Sequence, residues 1–251
     1  MNKLHRVYEL LLDYSHHDNH KVEAIIIGLV WTACKTQHLN NDIIGLAMSP
    51  NTPTRILPWS GTLVGKTLGE LSHWLLDWES YKATIGMSAI NCSINAQQNL
   101  ADGTVLKAGN LAVFEHFIPQ LIGKKVVVIG RYPHLERYQE QLDLTIIERQ
   151  PQANDYPDTA CEYLLPKADW VFITGTSITN KTFPRLAELS SNATTVLMGP
   201  TVPWLCEFKE FGIDYLASVD ITNSNHVLET IMQGGGVRIF ENGACYRVLA
   251  L

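Results

Sequence analysis

The stretch Thr174-Gly175-Thr176-Ser177-Ile178-Thr179-Asn180 sets four hydroxyls, a glycine and a side-chain amide directly after the apolar run Trp170-Val171-Phe172-Ile173. Hydroxyls and backbone N–H groups at such a strand-to-helix junction are donors suited to a polar or anionic small molecule. Nucleophilic catalysis would need a base beside the hydroxyl, and spacing places no His or Lys next to Ser177 or the threonines. The stretch therefore reads as a binding wall rather than a catalytic loop. A structural role competes for part of it, because Thr182 or a neighbour can cap the helix that carries Pro184 in its first turn.

Other loops would have to share that ligand. In an open parallel sheet, ligands bind beyond the carboxyl ends of the strands. Three loops besides the first meet this rule: Gly130-Arg131-Tyr132-Pro133, the strand end Glu148-Arg149, and Gly199-Pro200-Thr201. Gly130, Tyr132 and Pro133 are expected to form one wall and Glu148 to receive a hydroxyl or amine. Thr174, Thr176 and Asn180 donate hydrogen bonds, Gly175 belongs to the same loop, and Gly199 and Pro200 shape the floor. Asn91 and Asn95 lie four apart on one helical face and either reach the same ligand or cap and bridge neighbouring backbone.

Glu148 follows Gly130 by 18 residues, close to where a dinucleotide-binding fold keeps its ribose-binding acid. The turn Gly-Arg-Tyr-Pro-His-Leu nevertheless lacks the second and third glycines that let a pyrophosphate approach a helix N-terminus, so an ordinary NAD enzyme is not expected. Glu148 can also pair at the surface with Arg149 or Arg131. The rival to a binding protein is a nucleotide-linked or lyase-like enzyme using Glu148 or His134 as its acid–base group.

Ser-His-His-Asp-Asn-His places His16 and His20 four apart with Asp18 between them. Those donors could hold a transition metal on a helix, but at a helix end before a strand they more commonly form a solvated turn. Five cysteines, Cys34, Cys92, Cys161, Cys206 and Cys245, stand far apart and mostly among apolar neighbours, which fits reduced buried thiols better than a disulfide framework or a Cys-x-x-Cys metal site.

The elements that must position these residues fall into two halves. Leu4, Val7, Leu11 and Leu12 have helical spacing, and two β-rich runs, 21–36 and 41–49, follow as a hairpin or meander. A Pro/Gly/Ser-rich loop covers 49–65. Thr67 and Glu70 make a capping box, and a helix over 81–99 carries Gly86, Ser88 and Ala89, small enough for another backbone to approach. A helix over 110–121 closes the first half. From Lys124 short apolar strands alternate with helical patterns, the grammar of a mostly parallel sheet covered on both faces. Thr159 and Glu162 offer a second capping box, and Asn242-Gly243 offers a type I′ turn for a closing hairpin. The expectation is an α/β protein with a boundary near residue 120: an α+β domain over 1–120 and a doubly wound, mostly parallel domain over 121–251 that ends in the hairpin.

A net charge of −6 without a basic stripe argues against nucleic acid as a partner. No apolar run reaches the roughly 18 to 20 residues of a bilayer span, and no signal-peptide block opens the chain, so neither membrane nor export is expected and the reading is cytoplasmic. Six Trp in an apolar-rich chain favour self-association into a homo-oligomer.

"ADWVFITGTSITNKT" followed by "VLMGPTVP" resembles the family described as the putative heavy-metal chelation domain. "VVVIGRYP" and "ERQPQANDYPDTACEYLLPKADW" are similar to its Gly-x-x-Pro turn and acidic linker, and "IGMSAINCSIN" to the Asn-bearing helix of its N-terminal partner domain. The resemblance implies an N-terminal domain similar to that of enolase, a Rossmann-like C-terminal domain, and a ligand in the cleft between them. It also implies a role in heavy-metal or metallophore handling, with a metal ion or metal chelate as ligand. The chain lacks a clustered Cys/His set, so a small organic chelator or other anionic ligand fits it better than a metal held by side chains alone.

Overall fold

The computed structural model describes residues 3–97, 102–152 and 154–251. The last two positions of the expected 81–99 helix, Gln98 and Asn99, and Ala153 of the acidic linker lie outside them.

Helix α1 (Lys3–Ser15) buries Val7, Tyr8 and Leu11 along one stripe. Strands β1 (Ala24–Ile27), β2 (Trp31–His38) and β3 (Asn41–Met48) form the expected meander, antiparallel throughout. The β2–β3 turn puts Leu39 and Asn40 at φ 50° and 63°, the left-handed pair of a tight hairpin. Residues 49–65 form no helix or strand, yet Leu63 and Trp59 join the core with Val22, Leu68, Leu71 and Ile85.

Helix α2 (Leu68–Ser72) starts from the capping box, with Thr67 Oγ1 accepting from Glu70 N–H and the Glu70 carboxylate accepting from Thr67 N–H. Helix α3 (Ser80–Gln97) is buried almost all round. Its small residues work as expected: a Cβ on Gly86 would lie 2.1 Å from Leu75 N, and at a second contact a Cβ on Gly45 of β3 would lie 2.1 Å from Ser88 O. Only glycine lets these backbones touch.

The second part of the chain forms an eight-stranded, mostly parallel sheet. In chain order its elements are β4 (Thr104–Val105), α4 (Ala112–Leu121), β5 (Lys125–Ile129), β6 (Asp143–Glu148), β7 (Tyr156–Pro157) and α5 (Cys161–Leu164). β8 (Trp170–Thr174), α6 (Thr176–Thr179), α7 (Phe183–Leu189), β9 (Thr194–Met198) and β10 (Tyr215–Ile221) follow. The chain then forms α8 (Ser224–Met232) and α9 (Ile239–Asn242) before the closing strand β11 (Ala244–Ala250). The strand order is β4-β11-β10-β9-β8-β5-β6-β7. Phe114 and Phe117 of α4 pack on Phe172 and Trp170 of β8, with ring centroids 4.8 and 5.3 Å apart, and fix that helix on the sheet.

Two compact units result, Met1–Ala101 with Asp220–Ala244, and Asp102–Val219 with Cys245–Leu251. They interleave along the chain instead of meeting at one point near residue 120. α4 belongs with the sheet because its aromatic face is buried there, and α8 belongs with the meander, where Ile231 packs so close to Gly28 that a Cβ on that glycine would sit 2.7 Å away.

Two local expectations are corrected. Asn242-Gly243 is not a hairpin turn: residues 239–242 are helical, Gly243 has φ −138°, and a Cβ there would meet Val227 at 2.6 Å. Burial of Ile239 and Phe240 draws the segment into a helical turn. The Thr159–Glu162 box does not form either. The chain enters that turn from Pro157 without a side-chain cap, and Glu162 instead receives Arg185 Nε at 2.9 Å.

Candidate functional site

Among the parallel strands of the second unit β5 comes first in the chain, β6 and β7 extend the sheet on one side of it, and β8, β9 and β10 extend it on the other. The order therefore reverses between β5 and β8, and connections leaving these neighbours diverge to open a crevice at their carboxyl ends. β5 pairs Ile129 with Ile173 of β8, so Gly130 and Thr174 are the first residues of the crevice.

Gly130 has φ 95°, a conformation that disfavours any side chain, and a Cβ there would lie 3.3 Å from Thr174 Cβ and Cγ2. Gly199 has φ 116°, and its Cβ position is 3.6 Å from the Tyr132 hydroxyl. That hydroxyl lies 3.4 Å from Met198 O, and the ring stands edge-on to Phe114 of α4 at 5.4 Å. Burial pushes the Tyr132 phenol well above its ordinary range, partly opposed by a hydrogen bond with Thr174, so it is a neutral hydroxyl at neutral pH. Gly130, Tyr132, Thr174 and Gly199 are thus brought together from three strand ends. Gly175 adjoins them for another reason: its Cβ would meet Val202 N at 2.8 Å.

The hydroxyls of the opening stretch divide into two groups. Ser177 Oγ donates to Thr174 O at 2.7 Å and Thr179 Oγ1 to Thr176 O at 2.8 Å, so both satisfy local carbonyls. Thr182 leads into α7 without capping it by its side chain, which instead approaches Ser177 O. Thr174 Oγ1 and Thr176 Oγ1 share a 3.3 Å contact and both residues are half-buried. Asn180 ends α6 half-buried, and Pro200 is buried behind Gly199. Pro133 is exposed, with its carbonyl accepting from Asn110 Nδ2 at 2.9 Å.

Glu148 is engaged by backbone: one oxygen accepts from Arg131 N–H at 2.9 Å and the other from Arg149 and Gln150 N–H at 2.7 and 3.2 Å. It shapes the turn after Gly130. Sequence reasoning missed the partner of that turn, an ion pair of Arg131 Nη1 with the fully buried Asp155 carboxylate at 2.7 Å; only the acidic character of the linker signalled it. His134 is exposed, with φ 68°.

Asn91 and Asn95 lie in the first unit, where their Nδ2 groups donate to Leu46 O and Ile44 O at 2.7 and 2.8 Å and stitch α3 to β3. His16 and His20 do not pair. α1 ends at Ser15, His16 Nδ1 sits 2.6 Å from Leu12 O, and His20 turns to Asp18 and His38. Cys34, Cys92, Cys161 and Cys245 are buried and Cys206 is exposed, all reduced.

Comparison with known proteins bears on the whole chain. The model of the DUF364 family, described as "Putative heavy-metal chelation", matches residues 112–250. The chain belongs to this family. A second model with the same description, DUF4213, matches residues 8–94. A DUF364 protein of unknown function from Desulfitobacterium hafniense has a similar structure, with a TM-score of 0.82, 27% identity, and coverage of 100% of this chain and 99% of the other. Another DUF364 protein, from Pyrococcus horikoshii, shares the fold, with a TM-score of 0.81 and 22% identity over 99% and 100% of the two chains. An uncharacterized protein of Methanocaldococcus jannaschii is 30% identical over 173 residues, which are 66% of this chain and 64% of that protein. Among the described residues of this DUF364 protein, no helix is long and apolar enough to cross a membrane.

The family description invites a test of the crevice for a metal. Its loops offer hydroxyls, backbone amides, one side-chain amide and the Glu148 carboxylate, which backbone N–H groups already engage, with the imidazole of His134 exposed beside them and no thiolate. Such donors suit the oxygens of an organic ligand, whereas soft or borderline metal ions select sulfur and imidazole.

Proposed function

We propose that this protein binds a small polar or anionic organic molecule, of the class that includes metal chelates, at the carboxyl ends of β5, β8 and β9. The observation that carries the reading is the reversal of strand order between β5 and β8, flanked by two positive-φ glycines, Gly130 and Gly199, that keep side chains out of the crevice. Thr174, Thr176 and Asn180 supply donors, Tyr132 and Pro133 form a wall, and Gly199 and Pro200 form the floor. Glu148 and Gly175 hold the loops in shape. The family description supports a metal-related ligand.

For Glu148 the acid–base alternative draws no support from geometry, because both its oxygens already accept backbone hydrogen bonds. Thermal-shift titration with metal–citrate complexes, nucleotides and dicarboxylates tests the binding reading. A true ligand at about 100 times its Kd stabilises the fold by about 2.7 kcal/mol, and the near-isosteric Thr174→Val is expected to reduce the shift. Absence of stabilisation by any of these compounds, or an equal shift in Thr174→Val, contradicts the assignment.

A further inference from the structure

In the first unit, outside the crevice, Asp18, His20 and His38 form a chain of hydrogen bonds. The Asp18 side chain is only 3% exposed. Its Oδ1 accepts from His20 N–H at 2.8 Å and lies 2.6 Å from His20 Nδ1, while Oδ2 accepts from Ser93 Oγ at 2.6 Å. A carboxylate has no proton to give, so His20 carries one on Nδ1 and its Nε2 faces outward along the chain. There it meets His38 Nδ1 at 2.9 Å, with the two rings inclined at 70°.

Local contacts fix the backbone beside both histidines. Thr36 Oγ1 donates to Lys21 O at 2.7 Å and clamps the segment after His20 against β2. The left-handed turn at Leu39-Asn40 ends β2 immediately after His38. Beside Asp18 and His20 opens a depression of about 520 Å3, also lined by Tyr14, His17, Asn19 and Gln97.

We infer that His20 Nε2 and His38 Nδ1 form a two-imidazole site for a borderline transition-metal ion such as Cu(II) or Ni(II), buttressed by Asp18. A carboxylate behind a metal-binding histidine fixes its tautomer and raises its basicity, and the Asp18–His20 contact has that form. Metal–nitrogen bonds of about 2.0 to 2.1 Å to donors 2.9 Å apart subtend about 90°, the cis angle of square-planar or octahedral coordination. In the metal-free protein His38 donates its Nδ1 proton to His20. On binding, that proton moves to His38 Nε2, and both lone pairs go to the ion with no net change in protonation.

Among the described residues no group of three His, Cys, Asp or Glu is placed to hold a metal. The site is therefore half of a coordination sphere, and its remaining positions open to water or to a chelator lodged in the adjoining depression. Such a site accepts a metal delivered as a chelate and gives it up readily, unlike a closed four-ligand structural site. The inference is independent of the crevice on the other unit.

Titration of the full chain with aqueous Cu(II), followed by calorimetry and electron paramagnetic resonance, tests it. The expected result is one saturable site whose spectrum shows nitrogen hyperfine coupling from two imidazoles. His38→Ala and His20→Ala each weaken it at least about 10-fold, and Asp18→Asn weakens it about 10-fold as the loss of an outer-sphere partner does. His116→Ala, an exposed control in the other unit, leaves it unchanged. If His20→Ala fails to fold by circular dichroism, His38→Ala decides alone, since His38 is the half-buried last residue of β2. Equal affinity in wild type and His38→Ala, or a spectrum without imidazole coupling, overturns the assignment.

Discussion

Gly130 at the end of β5 and Thr174 at the end of β8 stand against each other so closely that a methyl group on the glycine would lie 3.3 Å from the threonine Cβ. The contact joins the two strands between which the sheet reverses its order, so one pair of residues marks where the candidate crevice begins.

Gly130→Ala is expected to destabilise the fold by about 2 kcal/mol, because a side chain at φ 95° is strained and must also displace Thr174. Urea unfolding measures the loss. A midpoint equal to that of the wild type would show that the turn relaxes without cost.

Arg131→Ala leaves the Asp155 carboxylate, whose side chain is 0% exposed, without its guanidinium partner. Removing one member of a buried pair typically costs about 3 to 5 kcal/mol, and the 24% exposure of Arg131 moves the expectation down to about 2. Chemical denaturation checks it; a change below about 0.5 kcal/mol, the level of an ordinary surface substitution, would refute the role assigned to the pair.

Burial alone would raise the Asp18 carboxyl, but hydrogen bonds from Ser93 and from the His20 backbone and ring outweigh it and hold it below its ordinary range. A carboxyl depressed on folding contributes stability that is complete above its unfolded value of about 3.9 and is lost as pH falls through the lower folded value. Wild type should therefore lose stability below about pH 4 more steeply than Asp18→Asn. Parallel curves for the two proteins between pH 2.5 and 6, a range chosen to bracket an unfolded value of about 3.9, would exclude Asp18 as a contributor.

Gly45→Ala drives a methyl group to within 2.1 Å of Ser88 O and Cys92 N, backbone atoms of α3 that cannot rotate away. The expected loss is at least about 3 kcal/mol, at the upper end of overpacking effects. Soluble expression with an unchanged melting temperature would show that α3 is free to slide on β3.

Whatever rests on a short period or a short spacing was legible in the chain itself. Alternation and continuous apolar runs marked the meander and the parallel strands, Thr67 and Glu70 marked a helix start, and Gly86 and Ser88 marked a backbone contact. These signals are local because they follow from the pitch of one element or from groups three residues apart. The grouping of the crevice loops at one sheet edge followed from one rule added to them, that glycine-bearing turns after parallel strands share an edge.

Local grammar failed where another segment supplied the deciding contact. Asn242-Gly243 carries the chemistry of a type I′ turn, but Val227 and the burial of Ile239 and Phe240 hold it in another conformation. The Asn91 and Asn95 amides share a helical face in the sequence, and only the position of β3 shows that they meet its carbonyls. Residue spacing left His16 and His20 in a turn after a helix, and only the tertiary structure shows that His20 reaches His38, 18 positions away. Helical and strand periods determine which way each side chain points along its own element. Which elements become neighbours is decided by burying many apolar faces at once, and no single stretch of the chain contains that information.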